Sequence, residues 1–327
     1  MRRFVILILA ILFAQTALAW NATGHEAVAA IAWDNMTPAA QTKAIAILKK
    51  APHNACLLDL LSHDGRPEAV RNREFFIRVA TWPDLIRPAI GTDKDHPDPR
   101  PCVQFHQPSW HFFDRFWEGT SGATGTAAPK DRNDVALAKV NAVTQLQAFR
   151  PLVECKTTPC SASPGERAMD LAWMVHLVGD IHQPLHTSGH VTNEPDELTG
   201  DQGGNKFKLK KDDHPPVLHS FWDNIVDESI PRQPAELHND IAYIDRVIGT
   251  IEKDHPKASV ADHIKPGDFN AWSLEGLGTA KQIGYPVSLH RGERPSEDYR
   301  KTVFTAADTA IATAGYRLAD LLNGILK

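Results

Sequence analysis

Apolar residues recur at three- and four-residue intervals through most of the chain, the spacing of amphipathic helices. The pattern predicts helices over residues 26–48, 134–152, 166–182, 220–228, 234–252 and 299–322. Thr23-Gly24-His25-Glu26 reads as a capping box opening the first of them. In the last, Ala307, Ile311, Ala314, Leu318 and Leu321 make an ordinary packed stripe. Only residues 206–211 read as a short strand, and proline, glycine and aspartate mark loops at 90–101, 119–131 and 190–204. No repeat and no shift in composition divides the chain. The expectation is one mainly α-helical domain with long loops and at most a short hairpin.

The opening residues follow a different rule. Arg2 and Arg3 precede an apolar run over 4–14, and Ala17-Leu18-Ala19 is a small-x-small sequence. That layout predicts a signal peptide over residues 1–19, export to a periplasm or the medium, and a mature domain over 20–327 that begins at Trp20. No later stretch has the roughly 20 apolar residues of a spanning helix, so no stable membrane association is expected. Four cysteines in an oxidising compartment suggest two disulfides. Three pairings are possible. The short spacing of Cys155 and Cys160 favours joining them, which leaves Cys56 with Cys102. Four buried thiols are the alternative.

The formal charge of −5 becomes more negative still once Arg2 and Arg3 are removed. Bulk charge therefore argues against holding a polyanion, and any phosphate site must be local. The strongest chemical signal is His176-Leu-Val-Gly-Asp180-Ile-His182-Gln-Pro184-Leu-His186. His176 and Asp180 are four apart and share a helix face, while Pro184 turns the chain so that His186 can return to the same centre. His219 and Asp223 repeat the four-residue spacing. Imidazole and carboxylate so placed suit zinc. One such pair would more often be a surface ion pair, but two pairs and a post-proline histidine point to metal. Thr81-Trp82-Pro83-Asp84 and Ser109-Trp110-His111-Phe112-Phe113-Asp114 offer a further carboxylate and imidazole. Each alone is more often a packed turn or a core histidine. A free amine and carbonyl at Trp20 could chelate a metal that His25 reaches; otherwise the segment is a capped helix start.

In order, Trp20 with Gly24-His25-Glu26, Trp82-Pro83-Asp84, Trp110-His111-Phe112, the 176–186 segment, Gly203-Gly204-Asn205 and residues 218–223 resemble the S1/P1 family. These are zinc-dependent single-strand nucleases and 3′-nucleotidases with a fold related to zinc-dependent phospholipase C. Tyr316-Arg317-Leu318-Ala319 matches the family's closing helix, so the resemblance spans nearly the whole of 20–327. It implies three Zn²⁺ ions. One would be held by Asp84, His111, His176 and Asp180, and a second by His186, His219 and Asp223. The third would take the Trp20 amine and carbonyl, His25 and a second oxygen of Asp180. The remaining histidines, His182 included, have no counterpart in this set and read as supporting or surface residues.

Six positive charges against three ligand carboxylates would make the cleft the electropositive spot of an acidic protein. Hydroxide generated there would attack phosphorus in line, with Asp180 bridging two ions and Asp84 orienting the nucleophile, and would leave 5′-phosphate products. Single-stranded DNA or RNA is the implied substrate. Phe112, Asp114, Gly203, Gly204 and Asn205 match residues of the nucleotide pocket, and an aromatic platform favours unpaired bases. Core packing for Phe112 and a hairpin turn for 203–205 are the plainer readings. The sequence departs from the family in an insertion over 91–103 and in having no clear counterpart of a phosphate-side lysine, for which Arg115 is the candidate replacement. A phospholipase C is the nearest rival, and a non-catalytic zinc protein the more distant one. Asn21 and Asn35 stand in Asn-x-Thr sequons.

Overall fold

The computed structural model describes residues 20–119, 131–132, 139–210, 215–237, 240–264 and 267–327. The expected signal peptide therefore lies outside the described residues. Helix α1 (Ala22–Asn35) is alanine-rich and buried on almost every side, because it runs through the middle of the molecule. It packs against α3 (Glu68–Val79), α6 (Pro164–Asp180), α7 (Leu218–Ser229), α8 (Asp240–Asp254) and α10 (Glu297–Ile325). A helix apolar all round belongs in a core. Its cap is Asn21, whose side chain accepts from the Gly24 amide, and Thr23 lies inside the helix rather than capping it.

The single helix expected over 26–48 is two. Asn35 ends the first, and Thr37 caps α2 (Pro38–Leu48) with Pro38 at its first turn, where a missing N–H costs nothing. Ser163 and Glu166 form a reciprocal capping box on α6, which stays helical as far as Asp180. Helix α5 (Ala142–Glu154) opens on Asn141, later than the pattern implied; residues 134–138 of that expected helix lie outside the described set. Residues 234–236 are a separate 3₁₀ turn ahead of α8. Three helices were not foreseen: α3, the four-residue α4 (Trp82–Leu85) and α9 (Phe269–Thr279).

The strand expected at 206–211 reduces to one bridge, Lys208 with Val217, among the described residues. The sheet lies elsewhere. β1 (Phe116–Glu118) pairs antiparallel with β2 (Asp131–Arg132) and parallel with β3 (Gly189–Val191), in the order β2-β1-β3. Strands of two or three residues carry too little alternation to be read from sequence. Disulfides join Cys56 to Cys102 and Cys155 to Cys160, as the spacing favoured. The first ties down the insertion over 91–103, which folds back on α4: the Arg100 guanidinium donates to the Leu85 and Arg87 carbonyls at 2.7 and 2.5 Å. No helix among the described residues is long and apolar enough to cross a membrane.

Candidate metal centre

Six elements deliver imidazole or carboxylate to one buried region. His25 comes from α1, Asp84 from α4, and His111 from a 3₁₀ turn over Pro108–His111. His176 and Asp180 come from the end of α6, one turn apart on the same face. After that helix stops, Gln183 caps a 3₁₀ turn over Pro184–Thr187 that returns His186, and α7 supplies His219 and Asp223. Three sets of candidate ligand atoms result, each lying within 4.8 Å: His25, Asp84 and His176; His111, His176 and Asp180; His186, His219 and Asp223. All of these residues are buried except Asp84, which is partly exposed.

Asp180 is the hub. One carboxylate oxygen lies 3.3 Å from His25 Nε2, and the other lies 3.1 Å from His176 Nε2 and 3.2 Å from His111 Nδ1. The side chain is fully buried, and neither oxygen makes a well-formed hydrogen bond. His25 stacks on His176 with ring centroids 3.9 Å apart. Trp20 is also fully buried, and a Cβ on Gly179 would stand 3.9 Å from its ring.

Proton bookkeeping decides what this arrangement needs. His176 Nδ1 donates to the Ala80 carbonyl at 2.7 Å, His186 Nδ1 to the His111 carbonyl at 2.6 Å, and His219 Nδ1 to the Gly203 carbonyl at 2.6 Å. A carbonyl only accepts, so Nδ1 carries the proton in each ring and Nε2 of the neutral ring presents a lone pair. His186 Nε2 and His219 Nε2 nevertheless face each other at 3.0 Å, with an Asp223 oxygen 3.7 Å from His219. Lone pairs so close to each other and to a carboxylate repel unless a proton or a metal cation lies among them. Backbone carbonyls that fix the second ring nitrogen are the usual supports of metal-ligating histidines.

The titration behaviour agrees. Burial, with Asp84 and Asp180 adding repulsion, pushes Asp223 well above the carboxylate range even though the Gln183 amide donates to it at 2.7 Å. Burial lowers His111 to about 4 and also lowers His25. Burial opposes charge on His176 and on Asp180, but their mutual attraction outweighs it, so the histidine rises and the aspartate falls. A metal-free centre is thus a compromise among groups that cannot all hold their preferred charge.

Around this centre the remaining expected residues divide. Phe112, the residue after His111, is 37 % exposed. Asp114 sits on the same segment and is lifted to about 7 by burial and by the nearby Asp201. Gly203 and Gly204 both have positive φ, and a Cβ on Gly203 would meet the Leu185 carbonyl oxygen at 2.2 Å. Their visible task is to bring the Gly203 carbonyl to His219. The Asn205 side-chain amide donates to the Gln202 carbonyl at 2.7 Å. Arg115, the candidate replacement for the phosphate-side lysine, donates to Asn270 and Ser273 and lies over the Phe113 ring. Arg87 is a cation beside the centre, its guanidinium 2.6 Å from an Asp84 oxygen. Sequence reasoning missed it, although it stands three residues after Asp84, the spacing of side chains stacked on one helical face. Gln183 was missed too. His182 is neither a ligand candidate nor a surface residue. It is buried, with Nδ1 donating to Val178 and Nε2 accepting from the buried Arg317.

A helical protein with three clustered His/Asp sets defines a candidate metal-dependent protein. The S1/P1 nuclease family model matches residues 20–327, and the chain belongs to that metal-dependent family. Its relatives are distant. It is 26 % identical over 170 residues to endonuclease 1 of Arabidopsis thaliana, covering 48 % of this chain and 49 % of that protein. It is 24 % identical over 180 residues to nuclease P1 of Penicillium citrinum and to nuclease PA3 of a Penicillium species, covering 52 % of this chain and 62 % of each. The matches thus span about half to six-tenths of the curated relatives' lengths.

Proposed function

We propose that this protein is a zinc-dependent phosphodiesterase that cuts single-stranded nucleic acid, with residues 20–327 as its working domain after removal of residues 1–19. The observation that carries the reading is the opposition of His186 Nε2 and His219 Nε2 at 3.0 Å beside Asp223, next to a second centre built on Asp180. An all-nitrogen-and-oxygen donor set suits Zn²⁺. The donors would hold three ions: one on Asp84, His111, His176 and Asp180; one on His186, His219 and Asp223; one on Trp20, His25 and the other oxygen of Asp180. When bound, zinc polarises a phosphoryl group and lowers the pKa of water to about 7.

The protein's own residues then divide the work. Asp180 holds the two halves of its centre at a fixed separation by offering one oxygen to each side. Gln183 keeps Asp223 turned toward His219, and the Ala80, His111 and Gly203 carbonyls lock three imidazoles in the ligating tautomer. Asp84 orients the nucleophile and, through its ion pair, also aims Arg87, whose planar fork suits the non-bridging oxygens of a phosphate. Phe112 gives an unpaired base a stacking surface, and a duplex hides the faces it would use. Asp114, Gly203, Gly204 and Asn205 complete the pocket for the nucleotide. The in-line displacement would release 5′-phosphate ends.

The test uses exported protein that starts at Trp20. Zinc per chain is counted, and turnover of single-stranded DNA, duplex DNA and a phosphatidylcholine dispersion is compared. Three zinc ions with turnover confined to the single strand support the reading. Turnover of the lipid instead would make the protein a phospholipase, and zinc without turnover of any substrate would make it a binding protein.

A further inference from the structure

Asn21 does more than cap a helix. Its side-chain oxygen accepts from the Gly24 amide at 3.2 Å, which is the ordinary capping bond. Its side-chain nitrogen points the other way, toward α7, and donates to Asp227 Oδ2 at 2.7 Å and to Asn224 Oδ1 at 3.0 Å. Its backbone N–H donates to the carbonyl of Asp223, itself a candidate ligand, at 3.2 Å. Both acceptors are oriented by further bonds: Asn224 donates to the Ser220 carbonyl, and Asp227 accepts from the Tyr243 hydroxyl at 2.8 Å. A helix cap requires none of the three bonds to α7. Together they stitch the residue after Trp20 onto the helix that carries His219 and Asp223.

We propose that Asn21 is a positioning residue for the metal ion expected at Trp20, His25 and Asp180. The proposal rests on the reading of the centre given above. A terminal amine and carbonyl are poor ligands unless the chain behind them is held, because a free end loses conformational entropy when it binds. Trp20 is fully buried, and the chain turns straight into α1 behind it. Rotation of its backbone is therefore limited by two anchors: its own ring packed at Gly24 and Gly179, and the Asn21 clamp. The clamp also ties the third ion's ligands to α7, which supplies the second ion's ligands, so the two ions share one frame.

Asn21→Asp separates the clamp from the cap. A carboxylate still accepts from the Gly24 amide but cannot donate to Asp227, which it would repel. The variant is made in protein starting at Trp20, with Asp227→Asn and the double exchange alongside. In the double exchange the amide at 227 can donate to the carboxylate at 21 while its oxygen still accepts from Tyr243. Zinc is titrated against a competing chelator, and kcat and KM for a single-stranded oligonucleotide are measured on the same samples.

The expected result is that Asn21→Asp weakens one of three zinc-binding steps by about ten-fold or more, the loss typical of one hydrogen bond to a charged group. The other two steps weaken far less, kcat falls more than KM rises, and the double exchange recovers both the weakened step and the melting temperature that Asn21→Asp lowers. Unchanged zinc affinity in Asn21→Asp would overturn the proposal. So would equal weakening of all three steps, or failure of the double exchange to recover a protein that folds. If the wild type itself bound no zinc, the metal reading would fall and the clamp with it; three ions in the wild type with an indifferent Asn21→Asp would overturn the clamp alone.

Discussion

The ring of His25 stands where a side chain at position 179 would have to go. A Cβ built on Gly179 meets His25 Nδ1 at 2.9 Å and Cε1 at 3.2 Å. Gly179 lies inside α6 with an ordinary helical backbone, so the reason for glycine there is space rather than conformation. The stack of His25 on His176, and the approach of His25 to Asp180, both depend on that missing methyl group.

This relationship makes Gly179→Ala an informative change. Alanine in a helix interior normally stabilises by about 1 kcal/mol over glycine. Here it should push His25 away from Asp180, so that zinc content falls from three ions to two and activity drops, while helicity by circular dichroism is kept. Retention of all three ions would show that the His25 ring can move aside without leaving the centre.

Asp180→Ala should be more severe, since one side chain faces ligands on both sides of its centre. The expectation is loss of two ions and a fall in activity beyond the roughly 10–100-fold that outer supports of a metal site usually cost. The ion of His186, His219 and Asp223 should remain, and zinc analysis after gel filtration reads the difference.

Removing metal from the wild type should lower the melting temperature by several degrees. Ligand saturating a site at about 100 times its Kd stabilises by about 2.7 kcal/mol, and here several sites empty at once. Adding zinc back after chelation should restore the transition, whereas magnesium, which keeps its water and prefers oxygen donors, should not.

Phe112→Ala should leave the zinc content at the wild-type value and raise KM for single-stranded DNA by roughly 10- to 100-fold, the cost of losing one stacked base. An unchanged KM would assign the exposed ring another role.

Asp170 gives a prediction about pH and stability away from the centre. Burial, with Glu166 adding repulsion, raises its carboxyl from 3.8 to about 7. The folded form therefore holds its proton more tightly than the unfolded form. That contribution is fully present below about 4 and is lost as pH rises through about 7. Asp170→Asn cannot ionise, so its advantage over wild type in thermal melts should be small at pH 4 and grow, on the order of 1 kcal/mol, by pH 8.

The ligand-bearing segments were legible because local geometry fixes them. His176 with Asp180, and His219 with Asp223, sit one helical turn apart whatever the rest of the chain does, and Pro184 ends α6 by removing an N–H. Cys155 and Cys160 could be paired because they stand only five positions apart. The split at Thr37-Pro38 was equally local but was overridden by apolar periodicity that runs on across it. The two- and three-residue strands were hidden because their pairing depends on partners as distant as Phe116 and Gly189.

What the sequence determined alone was the helical class, the order of the motifs and the pairs of ligand types that a single helix face brings together. Only the tertiary structure decided that Arg87 stands by the centre, that His182 turns to Arg317, and that Gln183 and three backbone carbonyls orient the ligands. Spacing along a helix carries its own three-dimensional meaning. Which way a side chain turns after a loop, and what accepts its hydrogen bond, depends on surfaces that exist only once distant segments have packed.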